Sequence, residues 1–226
     1  MSPRSPRNPH WQRRCAAFLI DFLVLATVAL LFTTTWWRVD LREADVAIDG
    51  LRTTMDATMA RALDIDLDPA SFYASLLSDP SLRTAVAAFT HSVTHATLIV
   101  AFAYALLSAA WNLGGELSSW QGSLGKHLLG LRVVDISGKR ATFAQLVVRQ
   151  LAAGLSWFTL NIGHLLAWWP PFRSLHDRIA DTRVLATADA GPLPAWGRAT
   201  LSIALLTAIL LPILCAVWMA MRLTTP

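Results

Sequence analysis

Four apolar stretches, at about residues 16–37, 95–113, 146–169 and 199–221, constrain this chain more than any other feature. Each approaches or exceeds the roughly 20 residues that carry an α-helix across a bilayer. An ordinary water-exposed surface cannot absorb four such blocks. Composition agrees, with 54% hydrophobic and 15% charged residues and a mean hydropathy of +0.46. A transmembrane β-barrel does not fit, because the apolar residues come in runs and not in alternation. The fold class this implies is an all-α membrane protein with three or four apolar helical segments.

Basic residues set the orientation of such segments. Residues 1–15 form a leader carrying Arg4, Arg7, Arg13 and Arg14 and no acid, which places the amino terminus in the cytoplasm. The leader is not the start of a cleaved signal peptide, since the apolar run after it is too long and lacks a small-x-small exit. Nor does the Arg13-Arg14 pair need a twin-arginine reading, because the spanning helix that follows accounts for both residues. Residues 38–91 hold five arginines and nine acids, a balance expected outside the cytoplasm. Within them Leu51, Met55, Met59 and Leu63 recur every four residues and predict an amphipathic helix, with Asp68-Pro69 and Asp79-Pro80 as stops. A cap of short extracytoplasmic helices is the expectation. Residues 114–142 return to the cytoplasmic side, with Lys126, Arg132, Lys139 and Arg140 against Glu116 and Asp135.

The third stretch has two readings. A complete crossing puts Arg173, Arg178, Arg183 and Arg198 outside, blunted by Asp177, Asp181 and Asp189. A break near Asn161-Ile162-Gly163 instead makes the segment re-entrant, which is tolerated where protein or water covers the bent backbone. The β-prone runs 131–134 and 182–185 can pair only if both lie on the cytoplasmic side, which favours re-entry. Trp36, Trp37, Trp111, Trp168, Trp169, Trp196 and Trp218 sit near the ends of the apolar runs, where indoles mark membrane interfaces.

Asp21 is the costliest residue, because a carboxylate well inside an apolar run loses roughly 2.5–3.5 kcal/mol on insertion unless something compensates. Arg14, seven positions earlier, lies on the same helix face about 10 Å away. That is too far for an ideal pair but suited to lining one path. Arg149, early in the third stretch, is the natural cross-helix partner of Asp21. Other chemistries are poorly supported. The net charge of +4 is spread beside apolar blocks and forms no nucleic-acid stripe. Cys15 and Cys215 are too few for a disulfide framework or a zinc cluster. The run from Gln121 to His127 lacks the glycine and the Ser/Thr of a phosphate loop. His91 and His95 share a helix face with no nearby acid to complete a metal site, and His164 stands alone. No nucleophile elbow or HExxH helix is present, so neither an enzyme nor a cofactor is expected.

The arrangement of Arg14, Ala17 and Asp21, then Leu124-Gly125-Lys126, then Gly130-Leu131-Arg132-Val133-Val134-Asp135 with Gly138, then Arg149, then His176-Asp177-Arg178 and Thr182-Arg183-Val184 resembles the RDD family of bacterial membrane proteins. That family is named for one arginine and two aspartates. The resemblance implies that Arg14 is the arginine and Asp21 the first aspartate. Asp177 is assigned as the second, with Asp135 the alternative. Gly125, Lys126, Gly130, Arg132, Asp135, His176, Arg178 and Thr182 are supporting motif residues. The likeness covers about Trp11 to Ala186, and the membrane domain it implies is 16–186, with 38–91 as an extracytoplasmic insertion and 199–221 as an added transmembrane helix. Asp181 stands where the family usually has glycine, which puts the turn before Thr182 in question.

The expected role follows from the charges: Arg14, Asp21, Asp177 and Arg149 form a buried cluster in an inner-membrane protein that transports an ion or small solute. The alternative is a non-catalytic assembly protein, in a homo-oligomer or with a membrane partner, in which the same charges lock helices together. The lipid bilayer is the one partner common to both.

Overall fold

A computed structural model describes residues 10–64, 68–158 and 162–224. Arg4, Arg7, Asp66 and Asn161, on which parts of the sequence reading rest, lie outside the described residues. Among the described residues three helices are long and apolar enough to cross a membrane: α1 (Trp11–Phe32), α4 (Pro80–Leu117) and α9 (Ala195–Thr224), of which Ala195–Met221 qualifies. Apolar side chains stand exposed all round α9, including Ile203, Leu206, Ile209, Leu210 and Leu214. A helix apolar on every side needs lipid or protein around it. The chain is a membrane protein of helical architecture, with one small sheet.

Packing divides the chain into two compact units, Met1–Thr27 with Tyr104–Leu210, and Val28–Ala103 with Leu211–Pro226. In the second unit the expectation of short helices gives way to α2 (Thr34–Asp64), of 31 residues, and to an α4 that starts 15 residues before the apolar run beginning at His95. Between them lies the ten-residue α3 (Pro69–Ser78). The first apolar block, read as one span to Trp37, is divided instead at Thr33, after which α2 starts. The stripe Leu51, Met55, Met59, Leu63 is not the buried one. Met55, Met59 and Leu63 are exposed, while Asp40, Ala44, Ala47 and Ile48 are buried. Small residues earn burial by close helix approach, a signal that a search for large apolar residues misses. The two Asp-Pro pairs also act as starts. Asp68 accepts the amides of Ala70 and Ser71 at the head of α3, and Asp79 accepts that of Ser81 at 2.8 Å at the head of α4. Proline suits the first helical position because the N–H it lacks has no partner there.

The first unit is organised around a repeated pattern. Ser123 precedes α5 (Leu124–Leu128), and Gly130 follows before β1 (Leu131–Asp135). Ser174 precedes α8 (Leu175–Ile179), and Asp181 follows before β2 (Thr182–Ala186). Gly130 and Asp181 each lie seven residues after the serine, and both are left-handed, with φ of 62° and 49°. The strands pair antiparallel, Leu131 with Ala186, Val133 with Val184 and Asp135 with Thr182. The doubt raised by Asp181 is resolved: aspartate tolerates this backbone region better than most residues, so the turn survives the loss of glycine.

Because β1 pairs with β2, the intervening chain leaves the sheet and returns to it. It comprises α6 (Phe143–Phe158), α7 (Ile162–Leu165) and a short 3-10 turn, Leu166–Trp168. The third apolar stretch is thus made of separate pieces, α6 ending at Phe158 and α7 starting at Ile162. On α6, Leu146, Arg149 and Ala152 are buried, and Val148, Leu151 and Leu155 are exposed. Ala16 and Ala17 of α1 pack with Leu129 and Leu131, while Val133, Ala141 and Leu146 form a second apolar cluster.

Asp181→Gly should raise stability by about 0.5–1 kcal/mol, because glycine removes the left-handed strain. The Arg173–Asp181 pair it forfeits spans 3.3 Å but is largely exposed on the Asp side, so little is lost. Thermal melts of the two purified proteins in detergent check this, and a lower Tm in the variant refutes it.

Candidate functional site

Buried charges are costly to a fold unless each meets a partner. The first unit meets that demand around Asp177, whose side chain is fully buried. Arg14 of α1 reaches it at 2.6 Å, and Arg149 of α6 pairs with its other oxygen. Ser174 donates its hydroxyl at 2.6 Å and its amide at 3.1 Å to the same carboxylate. Asp177 thus ties down the start of its own helix and anchors two guanidinium groups. Thr182, at 3.4 Å from Arg149, closes the group from β2.

Asp21 is placed otherwise than expected. Its partner is not Arg149, and among the described residues it makes no ion pair. It accepts the Ser123 hydroxyl at 2.5 Å, the Gly125 amide at 2.9 Å and the Trp111 indole at 3.1 Å. The amide of Gly125 is one of the first-turn donors that a helix cannot satisfy itself, so α1 caps α5 through Asp21. Glycine is required there, because a Cβ at Gly125 would run into the carbonyl oxygen of Ala17.

Arg149 spends its remaining reach on Glu116, at 3.1 Å, which also binds Lys126 at 2.8 Å and Gln150 at 2.9 Å. Lys126 also donates to Asn112 at 3.0 Å. Glu116 is the residue that sequence reasoning missed. Charge balance was the available signal: Arg14, Lys126 and Arg149 outnumber Asp21 and Asp177, and Glu116 stands one turn past the second apolar run.

Of the supporting motif residues, Gly125, Lys126, His176 and Thr182 join this region. Gly130 serves the left-handed turn before β1. Arg132 and Arg178 are exposed and stand apart. Asp135, the alternative second aspartate, turns the chain after β1, accepting the Ser137 hydroxyl and the Lys139 amide, each at 2.8 Å. The Ser137 bond foremost holds its carboxyl below the ordinary value. His164 is not alone, since its ring lies 4.9 Å from that of His176.

Burial pushes the Asp177 carboxyl up, but Arg149 and Arg14 outweigh it and hold the group well below the usual carboxylate range. Burial, reinforced by Arg149, holds the His176 imidazole well below its ordinary value, so it is neutral. Beside the cluster lies a cavity of about 520 Å³, walled by Arg14, Asp21, Glu116, Lys126, Arg149 and His176 and by the aromatic rings of Trp11, Phe18 and Trp168.

In the second unit, the acid judged absent near His95 is present. Asp40 lies 3.0 Å from its Nδ1, and His91 stacks on its other side with ring centroids 6.0 Å apart. The described residues contain no group of three His, Cys, Asp or Glu side chains placed to hold a metal.

The sequence matches the RDD family over residues 8–181. Over 68 residues it is 40% identical to "Uncharacterized protein YxaI" of Bacillus subtilis (strain 168), a match covering 30% of this chain and 45% of that protein. The chain thus spans less than half the length of that curated relative. No solved structure matches.

Removing one member of the buried network should cost roughly 3–5 kcal/mol, since the other is left uncompensated. We expect Asp177→Asn and Arg149→Gln together to cost clearly less than their sum, and Asp21→Asn with Arg149→Gln to lie closer to additive. Equal coupling in the two cycles, read from thermal melts, contradicts the assignment.

The pH dependence has a defined sign. A depressed folded-state pKa contributes stability above the unfolded value and loses it as pH falls. His176 therefore starts to destabilise the fold below about pH 6.5, and Asp177 adds its loss below about pH 4. Melting temperatures in detergent should decline in that order, and His176→Gln should flatten the first decline. A flat profile between pH 6.5 and 4.5 in the unmodified protein would contradict it.

Proposed function

The chain belongs to the RDD family, and from that premise we propose that it binds a small solute within the inner membrane and carries it across. The observation that supports this reading is the cavity of about 520 Å³ walled by Arg14, Asp21, Glu116, Lys126 and Arg149. A lock between helices needs paired charges but no space beside them, whereas a solute site needs both. The ion-paired residues supply a rigid frame, and alternation between two arrangements of that frame moves the solute.

In this reading the amino terminus lies in the cytoplasm and residues 38–91 on the far side, an orientation that the arginines of the leader support. β1 and β2 share the cytoplasmic face with α5 and α8, and the segment between the strands dips into the bilayer and returns. The second reading, assembly without transport, draws on the completeness with which Arg14, Arg149 and Ser174 close around Asp177.

Two measurements test the proposal. On a background without Cys15 and Cys215, a membrane-impermeant thiol reagent applied to intact cells should label Ser75→Cys and leave Ser137→Cys untouched; the reverse pattern overturns the orientation. In proteoliposomes, flux of monovalent cations or small organic anions should occur with the unmodified protein and fall at least tenfold in Ala153→Phe. Ala153 of α6 lines the cavity, so that change fills it and leaves every charge in place. Flux undiminished by the filled cavity, or no flux of any probe from a fully folded protein, favours assembly.

A further inference from the structure

The cavity wall carries Arg14, Lys126 and Arg149 against Asp21 and Glu116, and the formal count cancels once Asp177, paired with Arg14 and Arg149, is included. What they present to a ligand does not cancel. The side chains of Glu116 and Asp177 are 0% exposed, whereas those of Arg14 and Lys126 keep 16% and 15%. Hydrogen-bond capacity divides the same way. Asp177 accepts from Arg14, Arg149 and Ser174; Glu116 from Lys126, Arg149 and Gln150; and Asp21 from Ser123, Gly125 and Trp111. An ammonium has three donors and a guanidinium five. Among the described residues Lys126 uses two of them, on Asn112 and Glu116, and Arg14 makes two bonds, to Phe172 and Asp177. The larger spare capacity therefore lies with the donors. A cation reaching Glu116 or Asp177 would have to displace an arginine or lysine, and one reaching Asp21 would have to share a carboxylate that already accepts from three neutral donors, whereas an anion needs only the N–H groups left over.

The remaining wall is aromatic. Trp11 and Trp168 lie with ring centroids 5.5 Å apart, and Phe18 lies 6.1 Å from His164. The Nδ1 atoms of His164 and His176 are buried without a hydrogen-bond partner among the described residues. His176 itself is 6% exposed.

Resting on the reading of this cavity as a solute site, we propose that its ligand is an amphiphile with a compact monoanionic head held by Arg14 and Lys126 and an apolar body held against Trp11, Phe18 and Trp168. A single negative charge fits, because the cluster is otherwise neutral and offers two part-used cations. The head group is defined by its chemistry, and both a free carboxylate amphiphile and an anionic phospholipid carry it.

Equilibrium dialysis of the purified protein in a neutral detergent, with radiolabelled decanoate as the probe, tests the ligand class. We expect saturable binding at one site per chain, at least tenfold tighter than decylamine or decanol, weakened at least tenfold by Lys126→Gln, largely retained in Lys126→Arg and lost in Ala153→Phe. Competition by phosphatidylglycerol but not phosphatidylcholine assigns the site to a lipid head group, and its absence assigns it to a free amphiphile. Decylamine binding as tightly as decanoate, or decanoate binding unchanged in Ala153→Phe, overturns the proposal. If Lys126→Gln does not fold, those two comparisons decide alone. Decanoate binding without flux in proteoliposomes keeps the ligand and removes transport; cation flux that Ala153→Phe abolishes, with no decanoate binding, keeps the solute site and removes this ligand.

Discussion

Everything in the first unit hangs on the closure of one buried carboxylate. Asp177 carries no exposed side-chain surface, and an isolated charge so placed would cost several kcal/mol. Arg14 arrives from α1, Arg149 from α6 and Ser174 from the start of its own helix, so three separate parts of the chain must be in position at once. Such an arrangement contributes less as net stability than as specificity. The pairs are unforgiving of error, and any packing of the same apolar surfaces that separated Arg149 from Asp177 would leave Asp177 with Arg14 alone and Arg149 with Glu116 alone. Glu116 extends the same demand to α4 and, through Lys126, to α5.

The repeated serine–helix–turn–strand pattern explains why two aspartates are needed in different places. Each short helix begins with a serine and exposes amide donors at its start, and each is tied down by an aspartate. Asp177 does this from within its own helix, reaching back to Ser174, and Asp21 does it from α1, reaching Ser123 and Gly125. α5 has no acid of its own at the position Asp177 holds in α8, where Lys126 stands instead. The carboxylate that α5 lacks is supplied by α1, and the lysine is thereby freed to bind Glu116. The left-handed residue that follows each helix, Gly130 or Asp181, then turns the chain so that the two strands meet.

The sequence made the membrane helices legible because their signal is long and continuous. The strands were legible as short β-prone runs, and their pairing followed once both were placed on one side. Partner assignment was less accessible. Asp21 was matched with Arg149 on the premise that a buried carboxylate needs a cation, yet three neutral donors satisfy it, and nothing in a one-dimensional pattern distinguishes the two solutions. Ser123, Gly125 and Trp111 are ordinary residues until the fold brings them within 3.1 Å of one oxygen pair. The second unit was misread for a different reason. The stripe of Leu51, Met55, Met59 and Leu63 has the right spacing for a buried face, but burial went to Ala44, Ala47 and Ile48, because alanines let helices approach where longer side chains hold them apart. Asp40 beside His95 followed the same rule, since the two residues are far apart in sequence and meet only through packing.

The charged cluster is easily taken for the functional centre because its residues are the expensive ones, but expense and exposure separate here. The side chains of Asp177 and Glu116 carry no exposed surface and are held by cations, which fits a framing role. Arg14 and Lys126 are held from behind by those same acids and keep part of their surface free. An anion-binding wall inside a membrane protein faces a conflict, since bare cations are costly to insert and fully paired ones have nothing left to give. Pairing each cation with a carboxylate sunk deeper in the protein resolves it. The acid stabilises the cation through folding and insertion and leaves its outward N–H groups available. A neutral cluster can in this way present a basic surface, and neither the formal charge of the motif nor the number of its acids predicts the sign of what it binds.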